Sequence, residues 1–163
     1  MMLVKGDRKL KIISLLLAMF LTILPLPVWA VAYRPNWILL VVVFWIAYAP
    51  DSLGITVVWL VGIGLDLLSG ATLGQHAISL MVCAFVLILT QQSFKLYPII
   101  KQCMVMAFIT LFYLSITRWL FGDVPIIDDW TFWCSAISTA ILWPWVFVLL
   151  REIRRNSLSA ELN

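Results

Sequence analysis

The ionisable residues that interrupt or border apolar stretches are the candidates for chemistry in this chain. Asp66 stands in an apolar run, with Gly62, Gly70 and Gly74 spaced from it in steps of four. Residues four apart share a helix face, so Gly62 and Asp66 are predicted to point the same way. A carboxylate beside a glycine suits close approach by a second backbone and a polar partner for the acid. The alternative for Gly70 and Gly74 is that they only end one helix and begin the next.

Three further ionisable residues are predicted to lie at the same membrane depth as Asp66, namely Arg34, His76 and Arg118. An ion pair between Asp66 and Arg34 or Arg118 would keep both partners charged while they are partly desolvated. The alternative for both arginines is that they extend to the lipid head groups. His76 is interpreted as a hydrogen-bonded cap rather than as a catalyst.

The residue types that catalysis needs are missing around these groups. No nucleophile and base pair accompanies them, no second acid is near Asp66 in sequence, and there is no phosphate-binding loop. Cys83, Cys103 and Cys134 are isolated, without a CxxC motif or a nearby histidine, and are interpreted as small apolar core residues. We therefore expect no enzymatic activity, no metal site and no cofactor.

Composition places these residues in a membrane. The 163 residues are 64% hydrophobic and 12% charged, and the mean hydropathy is +1.06, far from the balance of a soluble domain. The apolar runs lack the alternation of a transmembrane barrel, which predicts an all-α polytopic membrane protein. The basic residues lie at the edges of apolar runs and form no nucleic-acid groove, so nucleic-acid binding is excluded.

The apolar runs predict six transmembrane helices in a single domain over residues 1–163. The predicted spans cover about 12–29, 34–49, 54–68, 75–90, 99–121 and 130–150. Residues 91–101 are expected to form a polar, basic loop, and Pro144 is expected to kink the sixth helix or to be met by a neighbour's side chain. The first span also resembles a signal peptide with a cleavage site at Val28-Trp29-Ala30, although its prolines and Trp29 equally suit an interfacial turn.

The lysines and arginines predict that both termini are cytoplasmic, because short cytoplasmic segments carry the excess of positive charge. Arg34 and Arg118 fall on the outer side, as does the acidic loop 122–129. The remaining nine fall on the cytoplasmic side: Lys5, Arg8, Lys9, Lys11, Lys95, Lys101, Arg151, Arg154 and Arg155.

Three motifs, and the order in which they occur, resemble those of a known family. They are Arg34-Pro35-Asn36-Trp37, then Gly62-x-x-x-Asp66 followed by Ser69-Gly70-x-Thr72-Leu73-Gly74, and finally Leu142-Trp143-Pro144-Trp145. Over nearly its whole length the chain resembles the MreD family of rod shape-determining proteins. The resemblance implies a non-enzymatic scaffold of the bacterial inner membrane that binds MreC. Through MreC it would help to couple the MreB cytoskeleton to peptidoglycan synthesis by RodA and its class B penicillin-binding transpeptidase.

The MreD family is also similar in fold to the substrate-binding subunits of energy-coupling-factor transporters, which supplies an alternative function as a vitamin-like uptake subunit. If the chain instead holds another membrane protein, its polar and small residues are expected to form the partner contact or the packing that shapes it. The predicted cluster comprises Arg34, Asn36, Gly62, Asp66, Gly70, Gly74 and Arg118.

Overall fold

The computed structural model describes residues 5–25, 27, 30, 33–49, 53–120 and 130–161, which form helices and contain no strand. The all-α prediction is confirmed for this part of the chain. The proposed cleavage site, with Val28 and Trp29, and the acidic loop 122–129 lie outside the described residues. The helices are α1 (Lys5–Ile23), α2 (Trp37–Tyr48), α3 (Ile55–Ser69), α4 (Gln75–Leu96), α5 (Ile99–Leu120) and α6 (Trp130–Glu161).

Helix α2 lies at the centre of the bundle. It is apolar along its entire length, and ten of its 12 residues are buried. Helices α1, α4 and α6 all pack against it. A helix that is hydrophobic on every side is buried by protein. Its 12 residues reach about 18 Å at 1.5 Å per residue, less than the hydrocarbon layer of about 30 Å. This length is tolerated because neighbouring helices surround α2.

Three helices supply segments long and apolar enough to cross a membrane: Gln75–Leu96, Ile99–Trp119 and Phe132–Ser157. Only 39%, 28% and 22% of these segments are buried inside the protein. Their remaining apolar surface faces outward, as lipid-facing helices require. Helices α2 and α3 are shorter apolar helices. The chain is therefore a membrane protein, while the count of six crossings stays a prediction.

The boundary between α4 and α5 differs from the prediction. Helix α4 continues to Leu96, so residues 91–96 are helical and the predicted basic loop is wrong. Tyr97 and Pro98 alone separate the two helices. The helix ends here because a residue before proline disfavours the helical region, and Tyr97 has the extended ψ of 140°. Glutamine and lysine are good helix formers, so the polarity of this stretch did not stop the helix.

Helix α6 is also longer than predicted, because it continues past residue 150 to Glu161 and includes the basic residues that follow the apolar run. Pro144 lies inside this helix, and helical structure continues on both sides of it. A kink at Pro144 stays a prediction.

The helices bring their polar residues together at two ends of the bundle. At the end that we call the basic end, Lys11 and Arg154 lie 5.8 and 6.0 Å from the centroid of the Trp45 ring, and Lys95 and Arg151 share a cleft with Arg154. The other end, which we call the turn end, contains Arg34, the α3–α4 turn at residues 69–74, and the start of α6. The candidate site lies at the turn end.

Candidate functional site

The Asp66 carboxylate caps the amino terminus of α4. Asp66 is fully buried, and its Oδ2 accepts the N–H of Gly74 at 2.9 Å, while its Oδ1 accepts the N–H of His76 at 2.8 Å. The N–H of Ala77 adds a longer contact to Oδ2 at 3.4 Å. The first N–H groups of a helix have no partner within the helix, and the helix dipole favours a negative charge there. The Asp66 carboxylate and the N–H groups at the start of α4 thus satisfy each other's hydrogen-bonding requirements.

The backbone carbonyl of Asp66 ends α3 in the same turn. It accepts the N–H of Gly70 and, at 3.1 Å, the N–H of Ala71. Gly70 has φ = 67° and Gly74 has φ = 97°, both in the left-handed region that favours glycine. The two glycines therefore end α3 and begin α4, as the second interpretation of the sequence held. One residue, Asp66, closes the turn through both its side chain and its backbone.

Gly62 allows α3 and α4 to touch through their backbones. A Cβ atom at residue 62 would lie 2.3 Å from the Ala77 Cα and 2.9 Å from the Ala77 nitrogen. Only glycine permits this approach, which brings the first turn of α4 within reach of Asp66. Gly64 differs, because a Cβ there would meet only the flexible end of the Met19 side chain, at 2.9 Å.

Arg34 closes the carboxyl terminus of α1 and does not pair with Asp66. Its Nη2 donates to the carbonyl oxygens of Leu24 at 3.1 Å and Leu21 at 3.3 Å. The Arg118 guanidinium lies 5.4 Å from the centroid of the Phe132 ring.

The predicted ion pair between Asp66 and either arginine is therefore wrong. The reason is that the start of α4 offers the carboxylate several N–H donors at short range, so no cation has to be desolvated beside it.

Asn36 begins α2 and joins it to α6. Its Oδ1 accepts the N–H of Leu39 at 3.3 Å, as an N-cap does, and its own N–H donates to the Thr139 Oγ1 at 3.0 Å. The Ser135 hydroxyl donates to the Arg34 carbonyl at 2.9 Å. Ser135 and Thr139 were not predicted as site residues. Their spacing of four, which puts both hydroxyls on one face of α6, was the available signal.

Two polar contacts join α4 to α5 at the same end. His76 Nδ1 and the Tyr113 hydroxyl are hydrogen-bonded at 2.7 Å, and their rings are nearly parallel with an interplanar angle of 16°. The hydroxyls of Ser79 and Thr117 are hydrogen-bonded at 2.8 Å. These residues were not predicted as a set, because a sequence does not show which faces of two helices meet.

A cleft of about 290 Å³ opens at the turn end. The polar side chains that line it are Thr22, Arg34, Asn36, Ser69, His76, Tyr113 and Ser135. The Ser69 hydroxyl donates to the Leu65 carbonyl at 2.6 Å and His76 pairs with Tyr113, so these residues do not form a nucleophile and base pair. No group of three metal-ligating side chains occurs in the described part of the chain. At this end of the bundle, Arg34, Asn36 and Asp66 bind backbone groups at helix termini.

A second polar centre, Gln102, lies buried at the basic end and was missed in the sequence. Its Oε1 accepts the indole N–H of Trp143 at 3.1 Å, and its Nε2 lies 3.1 Å from the Tyr48 hydroxyl. The same Nε2 donates to the carbonyl oxygens of Tyr97 at 3.0 Å and Phe94 at 3.4 Å. These carbonyls belong to the carboxyl end of α4, whose last acceptors have no partner within the helix. Gln102 therefore caps α4 opposite Asp66.

Comparison with known proteins identifies the family of the chain. The family model described as rod shape-determining protein MreD matches residues 8–153. Rod shape-determining protein MreD of Haemophilus influenzae is 30% identical over 143 residues, which cover 86% of this chain and 87% of the relative. No solved structure matches the chain, and the uptake alternative gains no support from these comparisons. The chain belongs to the MreD family of rod shape-determining proteins.

Proposed function

We propose that the chain is a non-enzymatic scaffold of the rod elongation complex in the inner membrane, where it binds MreC. Through MreC it helps to couple the MreB cytoskeleton to peptidoglycan synthesis by RodA and its class B penicillin-binding transpeptidase. The observation that carries this proposal is the family match over residues 8–153, which implies a role in determining rod shape.

The proposed topology has six membrane crossings with both termini in the cytoplasm. The distribution of charge between the two ends of the bundle supports it. Lys11, Lys95, Arg151 and Arg154 gather at the basic end, and an excess of lysine and arginine is typical of the cytoplasmic side. The turn end would then face the periplasm, where the α3–α4 turn is available to a partner.

We place the MreC contact on the α3–α4 turn and not on Gly62 or Asp66, because these two residues are buried between the helices. Leu73 in this turn and Leu67 and Leu68 in the last turn of α3 are exposed. Gly62 and Asp66 hold the turn in shape from inside, so their role is to present these leucines. An apolar patch on a rigid turn suits a hydrophobic contact with another membrane protein.

Affinity purification of the tagged full chain from native membranes, followed by quantitative mass spectrometry, tests the proposal. Leu73→Asp changes the patch, where residue 73 is 68% exposed, and Leu96→Asp is the matched control at the basic end of α4, where residue 96 is 85% exposed. We expect wild-type protein and Leu96→Asp to recover MreC with RodA and the transpeptidase. Leu73→Asp is expected to lower MreC recovery about tenfold, since loss of an apolar anchor costs roughly 1–2 kcal/mol.

Two results would contradict the proposal in different ways. Undiminished MreC recovery with a well-folded Leu73→Asp protein would exclude the turn as the contact. Recovery of a transporter's energising subunits in place of MreC would overturn the scaffold function itself.

A further inference from the structure

A second cleft, of about 400 Å³, opens at the basic end between α2, α4, α5 and α6, with Gln102 of α5 among its lining residues. We call it the basic cleft. Its cations are Lys95, Arg151 and Arg154, and its aromatic wall is formed by Phe44, Tyr48 and Phe147. No acidic residue of the described chain lines it. Positive charges gathered around one concave space attract an anion, and this points to a negatively charged ligand.

The two arginines are held in place by the protein, which prepares them for a ligand. Arg154 Nη1 donates to the Tyr48 carbonyl at 2.7 Å, and the Arg151 guanidinium lies 5.8 Å from the centroid of the Phe147 ring. The acid closest in sequence to both, Glu152, pairs with Arg155. Arginines fixed against aromatic rings lose little conformational entropy when an anion binds.

Lys95 completes the set of cations from the end of α4. It is exposed, and its ammonium group makes no hydrogen bond or ion pair with the described residues. Lys101, at the start of α5, has the same charge but lies 6.0 Å from the centroid of the Tyr97 ring and does not line the cleft. The chain thus offers a matched pair of lysines, one inside the basic cleft and one outside it.

We propose that the basic cleft binds the phosphate of an anionic glycerophospholipid at the membrane surface. Arginine and lysine are the residues that bind phosphate, and basic pockets between membrane helices bind anionic head groups. A lipid is favoured over a soluble phosphate because apolar side chains continue from the cleft along the outside of the bundle. Val148 and Leu149 precede Arg151 within one turn of α6; both are exposed and offer a surface for an acyl chain.

The proposal is tested with the purified full chain in mild detergent, by following its thermal unfolding while lipid is added. The probes are phosphatidylglycerol, phosphatidylcholine as the zwitterionic control, and soluble glycerol phosphate. The variants are Lys95→Gln/Arg151→Gln, with two of the three cations of the cleft neutralised, and Lys101→Gln as the control. Arg154 is left unchanged because it also bonds to the Tyr48 carbonyl.

Phosphatidylglycerol is expected to stabilise wild-type protein and Lys101→Gln at the same lipid concentration, and to need about tenfold more lipid for Lys95→Gln/Arg151→Gln. Added salt should weaken the effect. An equal response to phosphatidylcholine, or an unchanged response of the double variant, would overturn the proposal. Equal stabilisation by glycerol phosphate would overturn the lipid assignment and leave a soluble phosphate ester as the ligand. None of these outcomes depends on MreC, so the scaffold function is tested separately.

Discussion

Replacing Gly62 with alanine tests whether backbone contact between α3 and α4 holds the turn end together. The added methyl group would lie 2.3 Å from the Ala77 Cα, whereas carbon atoms in contact lie about 3.5–4.0 Å apart. The obstacle is backbone, which cannot rotate away as a side chain can. Helix α4 must therefore move by about 1.2 Å or more to accept the methyl group.

That displacement also affects Asp66, one helical turn away. The Asp66 Oδ1 to His76 nitrogen distance of 2.8 Å would grow to about 4 Å, beyond hydrogen-bonding range. Overpacking costs about 1–3 kcal/mol, and a lost hydrogen bond to a charged group costs about 1.5–3 kcal/mol. We expect Gly62→Ala to lower the free energy of unfolding by about 3–5 kcal/mol in total.

The assay is thermal unfolding of the detergent-solubilised full chain, followed by fluorescence-detected size exclusion. For a chain of this size each kcal/mol changes Tm by about 2–4 °C, so Gly62→Ala should unfold about 10 °C below wild type. Gly64→Ala is the matched control on the same helix. Its methyl group meets only the end of the Met19 side chain, which can rotate away, and its Tm should stay within about 2 °C of wild type.

Equal Tm values for Gly62→Ala and wild type would refute the reasoning, because α4 would then have moved without cost to the Asp66 cap. Equal losses for Gly62→Ala and Gly64→Ala would refute it differently. The cost would then come from adding any methyl group to α3, and the contact with Ala77 would have no special role.

Three further substitutions test the polar contacts. Asp66→Ala removes the acceptor of the α4 start and should cost at least about 3 kcal/mol; faster proteolysis at the α3–α4 turn would show it, and unchanged digestion would contradict it. Gln102→Leu leaves the Trp143 indole N–H unpaired and should lower the free energy of unfolding by about 2–4 kcal/mol. Thermal unfolding measures this loss, and an unchanged Tm would contradict the prediction. Thr139→Val removes the acceptor of the Asn36 N–H and should cost only about 1–2 kcal/mol, so a Tm loss as large as that of Asp66→Ala would contradict this ranking.

The sequence predicted which side of α3 matters but not what that side meets. The spacing of Gly62 and Asp66 assigns both to one face, because helical periodicity is local. The partner of the acid depends on how α4 returns against α3, and the sequence offered arginines as the obvious counter-ions. Backbone N–H groups carry no sequence signal, so the cap on α4 could not be identified before the helices were placed.

The other differences arise from polar residues within apolar helices. Gln102 lies just inside the fifth predicted span, 99–121, and was not singled out because its partners are on other helices. Ser135 and Thr139 bond to the segment at residues 34–36 about a hundred positions away, a relation that no local pattern contains. Membership of the family, in contrast, depended on the order of three motifs and could be predicted from the sequence.

The two caps on α4 restrict how the bundle can move. Asp66, from the preceding helix, binds one end of α4, and Gln102, from the following helix, binds the other. A shift of α4 along its axis by a single residue, about 1.5 Å, would stretch the bonds at one end and compress those at the other. The two caps therefore oppose sliding of α4 along its axis and fix its register against α3 and α5. A movement of α4 that links the two ends of the bundle would then require tilting of this helix and not sliding along its axis.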